Sequence, residues 1–183
     1  MNFASFPSLL IDQPTMIKPE IEQAINDQIN QEFTAAYVYL GMAAYFDSRD
    51  LPGFAHWCVM QYEEENQHAM RLFNYLLDRG GDVKLNAIPK PAATYENAAA
   101  VFKQALRQEE ENTHSINELY ELASAAKDHA TLSHLQWFLD EQVEEEKNVG
   151  EVLAQVRMAG SDPSAILYLD DKLGSRKPEE EEA

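Results

Sequence analysis

Apolar residues recur at steps of three and four positions along four long stretches of the chain, which is the spacing of one helix face. In the second stretch this face includes Phe54, Cys58, Gln61, Leu72 and Tyr75. A shorter stretch near the C-terminus is also helical in pattern, and no segment shows convincing strand alternation. The pattern predicts five helices, over about residues 19–47, 50–80, 94–127, 128–160 and 162–174.

Helix starts and the linkers between helices indicate how the chain folds. Asp50, Asp128 and Asp162 stand where N-caps are expected. The linkers within the first and last long pairs are short, so each pair should be antiparallel. Residues 80–93 form a linker that spans roughly 45–50 Å when extended, whereas a helix of about 27 residues is roughly 40 Å long. The sequence therefore predicts an all-α four-helix bundle with a long crossover between the second and third helices and a short fifth C-terminal helix.

Length and composition indicate one domain with a charged C-terminal tail. A chain of 183 residues is large enough for one complete core. We expect residues 17–174 to form the bundle, residues 1–16 a flexible N-terminal extension, and residues 175–183 a disordered acidic tail. The first 16 residues contain no lysine or arginine, and no apolar run approaches the roughly 20 residues that span a bilayer. With a single cysteine, these features favour a cytoplasmic protein.

The formal net charge of −18 changes the expected partners. Such acidity argues against nucleic acid and against an anionic membrane surface as partners, and it is compatible with attraction of cations. Solubility alone would also explain it. The positions of the acids are therefore more informative than their number.

Each of the four predicted long helices carries one acidic residue on its apolar face, near the middle of its length. These acids are Glu32, Glu65, Glu109 and Glu145; the second helix adds His68 and the fourth adds Gln142. One such acid is commonly a boundary residue that reaches solvent. Burial of four such acids as uncompensated charges would cost several kcal/mol of folding stability for each one. No lysine or arginine lies on these faces near them. Either the acids are neutral, as in a purely structural bundle, or cations lie among them, and we favour cations.

The residue types narrow the choice of ion. Carboxylates with one imidazole suit Fe(II), Mn(II) or Zn(II), whereas Cys58 lies two helical turns from Glu65 and supplies no thiolate there. Because a glutamate can bridge two ions, four carboxylates and one histidine suffice for a dinuclear centre. Two divalent ions would also balance four carboxylates, although this balance does not identify the metal.

Four segments resemble the ferritin family, specifically its haem-free bacterial type. They read DQINQEFTAAYVYL, EEENQHAMRLFNYL, INELYELA and LQWFLDEQVEEEK, and the resemblance covers about residues 17–173. Ferritin-like bundles hold di-iron centres between facing helices. The resemblance implies a ferroxidase that oxidises Fe(II) with O2 or H2O2, and a homo-oligomeric cage, a 24-mer by family analogy, that stores ferric mineral.

The resemblance also assigns roles to individual residues. It implies a first iron held by Glu32, Glu65 and His68, and a second held by Glu65 as a bridge with Glu109 and Glu145, with Gln142 beside them. It implies a third iron position at Glu64, Glu141, Glu144 and Glu145, for which a solvated acidic face is the alternative. Tyr39 would supply an electron during oxygen reduction and Trp137 would lie nearby, although both would also serve as ordinary core residues.

Departures from related families refine these expectations. Gln142 and Glu145 stand where a symmetric site would have Glu-x-x-His, and Asn66 stands where bacterioferritin has its haem-ligating methionine. The resemblance therefore implies no haem. Three alternatives stay open: a mineral-nucleating subunit without fast oxidase activity, a structural bundle without metal, and a di-iron oxygenase acting on an organic substrate.

Overall fold

The computed structural model describes residues 17–177, and this part of the chain contains five helices and no strand. They are α1 (Pro19–Asp47), α2 (Pro52–Asp78), α3 (Ala98–Ala126), α4 (His129–Ala159) and α5 (Pro163–Leu173). The predicted bundle with a short fifth helix is confirmed. None of the helices in residues 17–177 is both long and apolar enough to cross a membrane. The expected extension over 1–16 and the last six residues of the expected tail lie outside the described residues.

Two predicted helix starts are wrong. Leu51, not Asp50, is the N-cap of α2, and Asp50 has a left-handed φ of 56°. Pro52 explains the shift, because a proline disfavours helical backbone in the residue before it and suits the first helical turn. The third helix begins at Ala98 rather than near residue 94, where the side chain of Asn97 accepts a hydrogen bond from the Ala100 amide.

The other two predicted caps are confirmed. The Asp128 carboxylate accepts a hydrogen bond from the Thr131 amide at 3.2 Å, and that of Asp162 accepts one from the Ser164 amide at 2.9 Å. Each bond satisfies an amide that the first helical turn leaves unpaired. The fourth helix ends at Gly160, where φ is 59°.

Aromatic contacts show that α1 and α2 run antiparallel. The ring of Phe46 stacks on Phe54 at 4.9 Å, and Tyr39 lies 6.2 Å from Trp57, so later residues of α2 meet earlier residues of α1. The third and fourth helices form the second antiparallel pair, joined by only Lys127 and Asp128.

The crossover between α2 and α3 runs along α1. The side chain of Asn26 donates to the Asp82 carbonyl at 2.9 Å and accepts from the Lys84 amide at 2.6 Å. Near the other end of the segment, a Cβ on Gly41 would lie only 3.0 Å from Pro91. This path joins two helices that point the same way, as the linker length predicted.

Two apolar clusters fill the bundle and a polar layer separates them. One cluster surrounds Phe46, Phe54 and Phe102, and the other surrounds Ile25, Leu72 and other residues nearer the opposite end. Between them lie buried polar side chains from all four long helices: Gln28, Glu32, Gln61, Glu65, His68, Glu109, Asn112, Gln142 and Glu145. A polar layer across a core is expensive unless its groups find partners or ligands.

The short fifth helix docks against the start of α2. The Asp170 carboxylate accepts a hydrogen bond from the Phe54 amide at 2.9 Å. A Cβ on Gly53 would lie 1.7 Å from the Asp170 carbonyl oxygen, so only glycine permits this approach. The docking directs residues 174–177 back over α2.

Candidate metal centre

The four acids that the sequence places on the helix seams meet in the polar layer. Glu32 and Glu109 have no exposed surface, nor does Glu65, and Glu145 is 3% exposed. Burial raises the pKa of Glu65 well above its usual range, and the charges of the other three acids raise it further. The seam pattern thus correctly located four carboxylates in one cluster.

One tight group matches the ligands predicted for the first iron. Glu32, Glu65 and His68 each offer a ligand atom within 4.8 Å of the other two. Burial, followed by the charge of Arg71, lowers the pKa of His68 to about 4. The imidazole is therefore neutral near pH 7, as a metal ligand must be.

Two amides hold the carboxylate of Glu32 from either side. Gln28 Nε2 donates to Glu32 Oε1 at 2.7 Å, and Asn112 Nδ2 donates to Oε2 at 3.0 Å. Sequence reasoning did not single out these amides. Their spacing could have identified them, because Gln28 lies four positions before Glu32 and Asn112 lies three positions after Glu109.

The carboxylate of Glu65 contrasts with that of Glu32. Neither Glu65 oxygen has a hydrogen-bond donor, although His68 Nδ1 lies 3.4 Å from Oε2. Glu109 Oε2 also lacks a donor. Buried polar atoms without partners are rare in folded proteins. Carboxylate oxygens and an imidazole nitrogen, gathered in one cluster, are metal ligands that fit divalent iron.

Tyr39 lies directly beside the cluster. Its hydroxyl donates to Glu109 Oε1 at 2.5 Å, and the tyrosine has no exposed surface. Burial raises the pKa of Glu109 to about 7, although the hydrogen bond from Tyr39 opposes this rise. Burial and the nearby acids raise the pKa of Tyr39 in turn, so its hydroxyl stays protonated.

Gln142 lies beside the acids, where the resemblance placed it. Its Nε2 donates to the Glu109 carbonyl at 3.3 Å and to Thr113 Oγ1 at 3.1 Å. Its Oε1 accepts from Asn112 Nδ2 at 3.4 Å. Protein groups therefore engage both ends of this amide.

A second group of three appears on the α4 side, with a membership that the sequence did not predict. His68, Glu141 and Glu145 each offer a ligand atom within 4.8 Å of the other two. Gln61 Nε2 also donates to Glu145 Oε2 at 2.8 Å.

The other two acids implied for a third iron are placed differently. Glu144 is exposed, and Glu64 pairs with Arg176. The four implied ligands are therefore not gathered into one group among the described residues, and a third iron position stays a prediction.

Arg176 brings a basic side chain to the acids from outside the four long helices. The faces of the four long helices carry no basic residue near the acids, but Arg176 reaches Glu64 from beyond α5. Residues 175–177, at the start of the expected tail, belong to the described structure, and the Arg176 side chain is only 15% exposed. No periodicity could have revealed this contact, since Arg176 and Glu64 are 112 positions apart.

Trp137 lies near the cluster, as the resemblance implied. Its ring centre is 5.4 Å from that of His68, in an edge-on arrangement, and Arg71 lies 4.1 Å above it. Trp57 contacts Tyr39 instead. Both tryptophans therefore border the polar layer and can report on it.

Comparisons with known proteins identify a single family. The family model for ferritin, described as a ferritin-like domain, matches residues 22–159. The bacterial non-heme ferritin of Staphylococcus aureus (strain USA300) is 38% identical over 166 residues, which is 91% of this chain and 100% of the relative. That of Staphylococcus haemolyticus is 36% identical with the same coverage.

Solved structures are also similar. An open-pore ferritin from the archaeon Archaeoglobus fulgidus has a TM-score of 0.87 and 42% identity, and covers 88% of this chain and 99% of its own. A form of the same protein engineered to be closed has a TM-score of 0.86, 42% identity, and covers 88% and 98%.

Proposed function

Because the chain belongs to the ferritin family, we propose that it stores iron and that its acidic layer oxidises Fe(II) to Fe(III) before storage. The observation that carries the proposal is the Glu65 carboxylate, which is fully buried among three other acids and receives no hydrogen bond. In its ionised form such a group destabilises the fold unless cations occupy the cluster. We infer that Glu65 bridges two ions.

The residues divide the two irons between them. Glu32 and His68 hold one Fe(II), and Glu109 and Glu145 hold the other, with Glu65 between them. Carboxylates stabilise Fe(III) more than Fe(II), so this ligand set favours oxidation. Two Fe(II) ions release two electrons, which with two protons reduce O2 to H2O2, or H2O2 to two waters. The chain's part is to hold both ions close together and leave positions open for the oxidant.

Tyr39 is suited to one further electron. Its hydroxyl already donates to Glu109 at 2.5 Å, so loss of an electron from the ring can be coupled to transfer of the proton to that carboxylate. The aromatic contact with Trp57 gives the ring a buried, polarisable neighbour. Tyr39→Phe is expected to keep iron binding and to slow the later part of oxidation.

Storage requires assembly, and the surface supports it. Large apolar side chains are exposed on α4 and α5: Val143 at 71%, Met158 at 81%, Leu167 at 59% and Tyr168 at 70%. Further copies of the chain would cover such side chains. By family analogy the assembly is a 24-mer cage, cytoplasmic and without haem, that encloses the ferric mineral.

The alternative is a subunit that nucleates mineral without fast oxidation. Aerobic Fe(II) oxidation at about two irons per chain separates the two. We expect a fast phase that Glu109→Ala slows by about 100-fold or more, since loss of groups that merely support metal ligands typically reduces activity by 10–100-fold. The matched control is Glu110→Ala, because Glu110 is the next residue of α3 and is exposed. Equal, slow traces in all three proteins would favour the nucleating subunit.

A further inference from the structure

We propose that Arg176 is a positioning residue that acts as a built-in counter-ion on the Glu64 side of the centre, and that an additional metal ion binds there only when its guanidinium withdraws. The inference rests on the proposed function, because it concerns ions beyond the two that are oxidised. It adds a residue from outside the four-helix bundle to the control of metal occupancy.

The Arg176 guanidinium hydrogen-bonds two side chains of α2 at once. Its Nη2 donates to Glu64 Oε2 at 2.8 Å and to Oε1 at 3.1 Å, and its Nη1 donates to the amide oxygen of Gln61. Glu64 and Arg176 are mostly shielded from solvent, at 11% and 15% side-chain exposure. A charge-assisted contact of this kind is stronger than one on the surface.

Gln61 connects Arg176 to the proposed metal ligands. With its oxygen bound to Arg176, its Nε2 donates to Glu145 Oε2 at 2.8 Å. Arg176 therefore fixes which end of the Gln61 amide faces Glu145. If the guanidinium leaves, the amide is released to rotate and the Glu145 carboxylate regains freedom.

The backbone around Arg176 is held against α2 at several points. The Asp170 contact with the Phe54 amide and the close approach at Gly53 anchor α5. His56 Nε2 donates to the Arg176 carbonyl at 2.9 Å. The side chain then crosses the ring of Trp57, with Cζ 5.2 Å from the ring centre. The segment can therefore stay docked while the long side chain swings away.

Charge makes the guanidinium and an additional ion mutually exclusive on Glu64. Arg176 Nη2 donates to both Glu64 oxygens, so a cation needs at least one of those contacts to break. A divalent ion would also meet the positive charge of Arg176 at short range. The second ligand group, which includes Glu141 and Glu145, lies on this side of the centre. Arg176 thus sets the threshold at which a further ion joins Glu64 and these acids.

The test is a titration of the assembled, metal-free protein with Zn(II) alone, followed by calorimetry. We expect wild type to bind two ions tightly and a further ion weakly. Arg176→Gln should bind the further ion at least about tenfold more tightly, because its competitor is gone. Arg176→Lys keeps the charge without the fork and should fall between the two. Lys177→Gln is the control, since it removes one positive charge from the neighbouring exposed position.

Fluorescence of Trp57 gives a second readout that a merely structural role would not change. In a Trp137→Phe background, Trp57 emission should show a distinct shift at the third equivalent of Zn(II), as the guanidinium leaves the ring. The same background with Arg176→Gln should show no shift there.

The outcomes separate this inference from the proposed function. Wild type that fails to bind the first two ions would overturn the dinuclear centre, and the inference with it. Wild type that binds two ions, with Arg176→Gln equal to it at every later equivalent, would overturn the role of Arg176 alone. Trp57 emission unchanged at the third equivalent would do the same even if a variant assembled poorly.

Discussion

The two sides of the acidic layer are held by different kinds of partner. On one side, the amides of Gln28 and Asn112 donate to both oxygens of Glu32. On the other, the guanidinium of Arg176 pairs with Glu64. Neutral donors orient a carboxylate and leave its negative charge for a metal, whereas a cationic donor neutralises the charge and competes with the metal. The comparison suggests a permanent ligand on the first side and an exchangeable one on the second.

The two sides also differ in what supports them. The amides near Glu32 belong to a network within α1 and α3, in which Gln28 Nε2 also donates to Asn112 Oδ1 at 2.6 Å and Ser115 donates to Gln28 at 2.5 Å. Arg176 depends instead on the docking of α5. Damage to the fifth helix should therefore affect one side and spare the other.

The largest expected effect comes from removing the carboxylate between the two sides. Glu65→Gln should slow Fe(II) oxidation by more than about 100-fold, because both ions lose a shared ligand. Stopped-flow absorbance measures the rate. Glu63→Gln, an exposed position on the same helix, is the control and should leave the rate unchanged. A fast phase retained in Glu65→Gln would contradict the bridging role.

Breaking the amide side should be the next largest effect. Asn112→Ala removes a donor from Glu32 and a partner of Gln142, and should weaken binding of the first ion about 10–100-fold. Calorimetry with Zn(II) measures the loss. Binding at the Glu64 side should stay at the wild-type value, and Asn117→Ala, an exposed position on α3, should change neither. Equal losses on both sides would show that they are not independent.

Displacing α5, and with it Arg176, should have a smaller effect on metal binding. Gly53→Ala places a Cβ 1.7 Å from the Asp170 carbonyl oxygen, so α5 must shift and Arg176 loses its support. We expect a loss of about 1–3 kcal/mol in stability and tighter binding of the further ion, as in Arg176→Gln. Thermal unfolding and the Zn(II) titration measure these changes.

Gly150→Ala is the matched control for that substitution. A Cβ there meets no atom within 4 Å, and the position is helical, so alanine should stabilise the protein by about 0.5–1 kcal/mol. If Gly53→Ala is as stable as wild type and keeps the Trp57 emission, the docking of α5 is not what holds Arg176.

The smallest effect concerns pH in the metal-free protein. The pKa of Glu109 is raised to about 7, so the folded state keeps a proton that the unfolded state has lost above its ordinary pKa near 4.5. This contribution is full below that ordinary pKa and is lost as pH rises through about 7. His68, whose pKa is lowered to about 4, acts oppositely but only below about pH 6.5. Stability with a chelator present should therefore fall as pH rises from about 6.5 through 7.

Thermal unfolding with and without Zn(II) checks this dependence. Bound ions stabilise the ionised carboxylates, so the fall should flatten or reverse when Zn(II) is present. Glu109→Gln should reduce the fall in the metal-free protein. A rise in stability over the same range without metal would contradict the protonated state inferred for the cluster.

Much of the centre could be predicted from the sequence because helices repeat regularly. Glu32, Glu65, Glu109 and Glu145 share the period of their apolar neighbours, so their burial follows once the helices pack. The same regularity places His68 one turn after Glu65. Helix starts were less predictable. Aspartate is a common N-cap residue, so Asp50 was expected to cap α2. The helix begins at Pro52 instead, because a proline restricts the backbone of the residue before it.

The sequence by itself determined the bundle, its crossover and the four carboxylates at mid-length, because local periodicity and linker length dictate which residues face inward. Only the tertiary structure decided how those carboxylates are partnered. Asn112 reaches Glu32 across 80 positions of the chain, and Arg176 reaches Glu64 across 112. Such contacts depend on how α3 and α5 dock, and docking geometry arises from the packing of whole helices rather than from any local pattern.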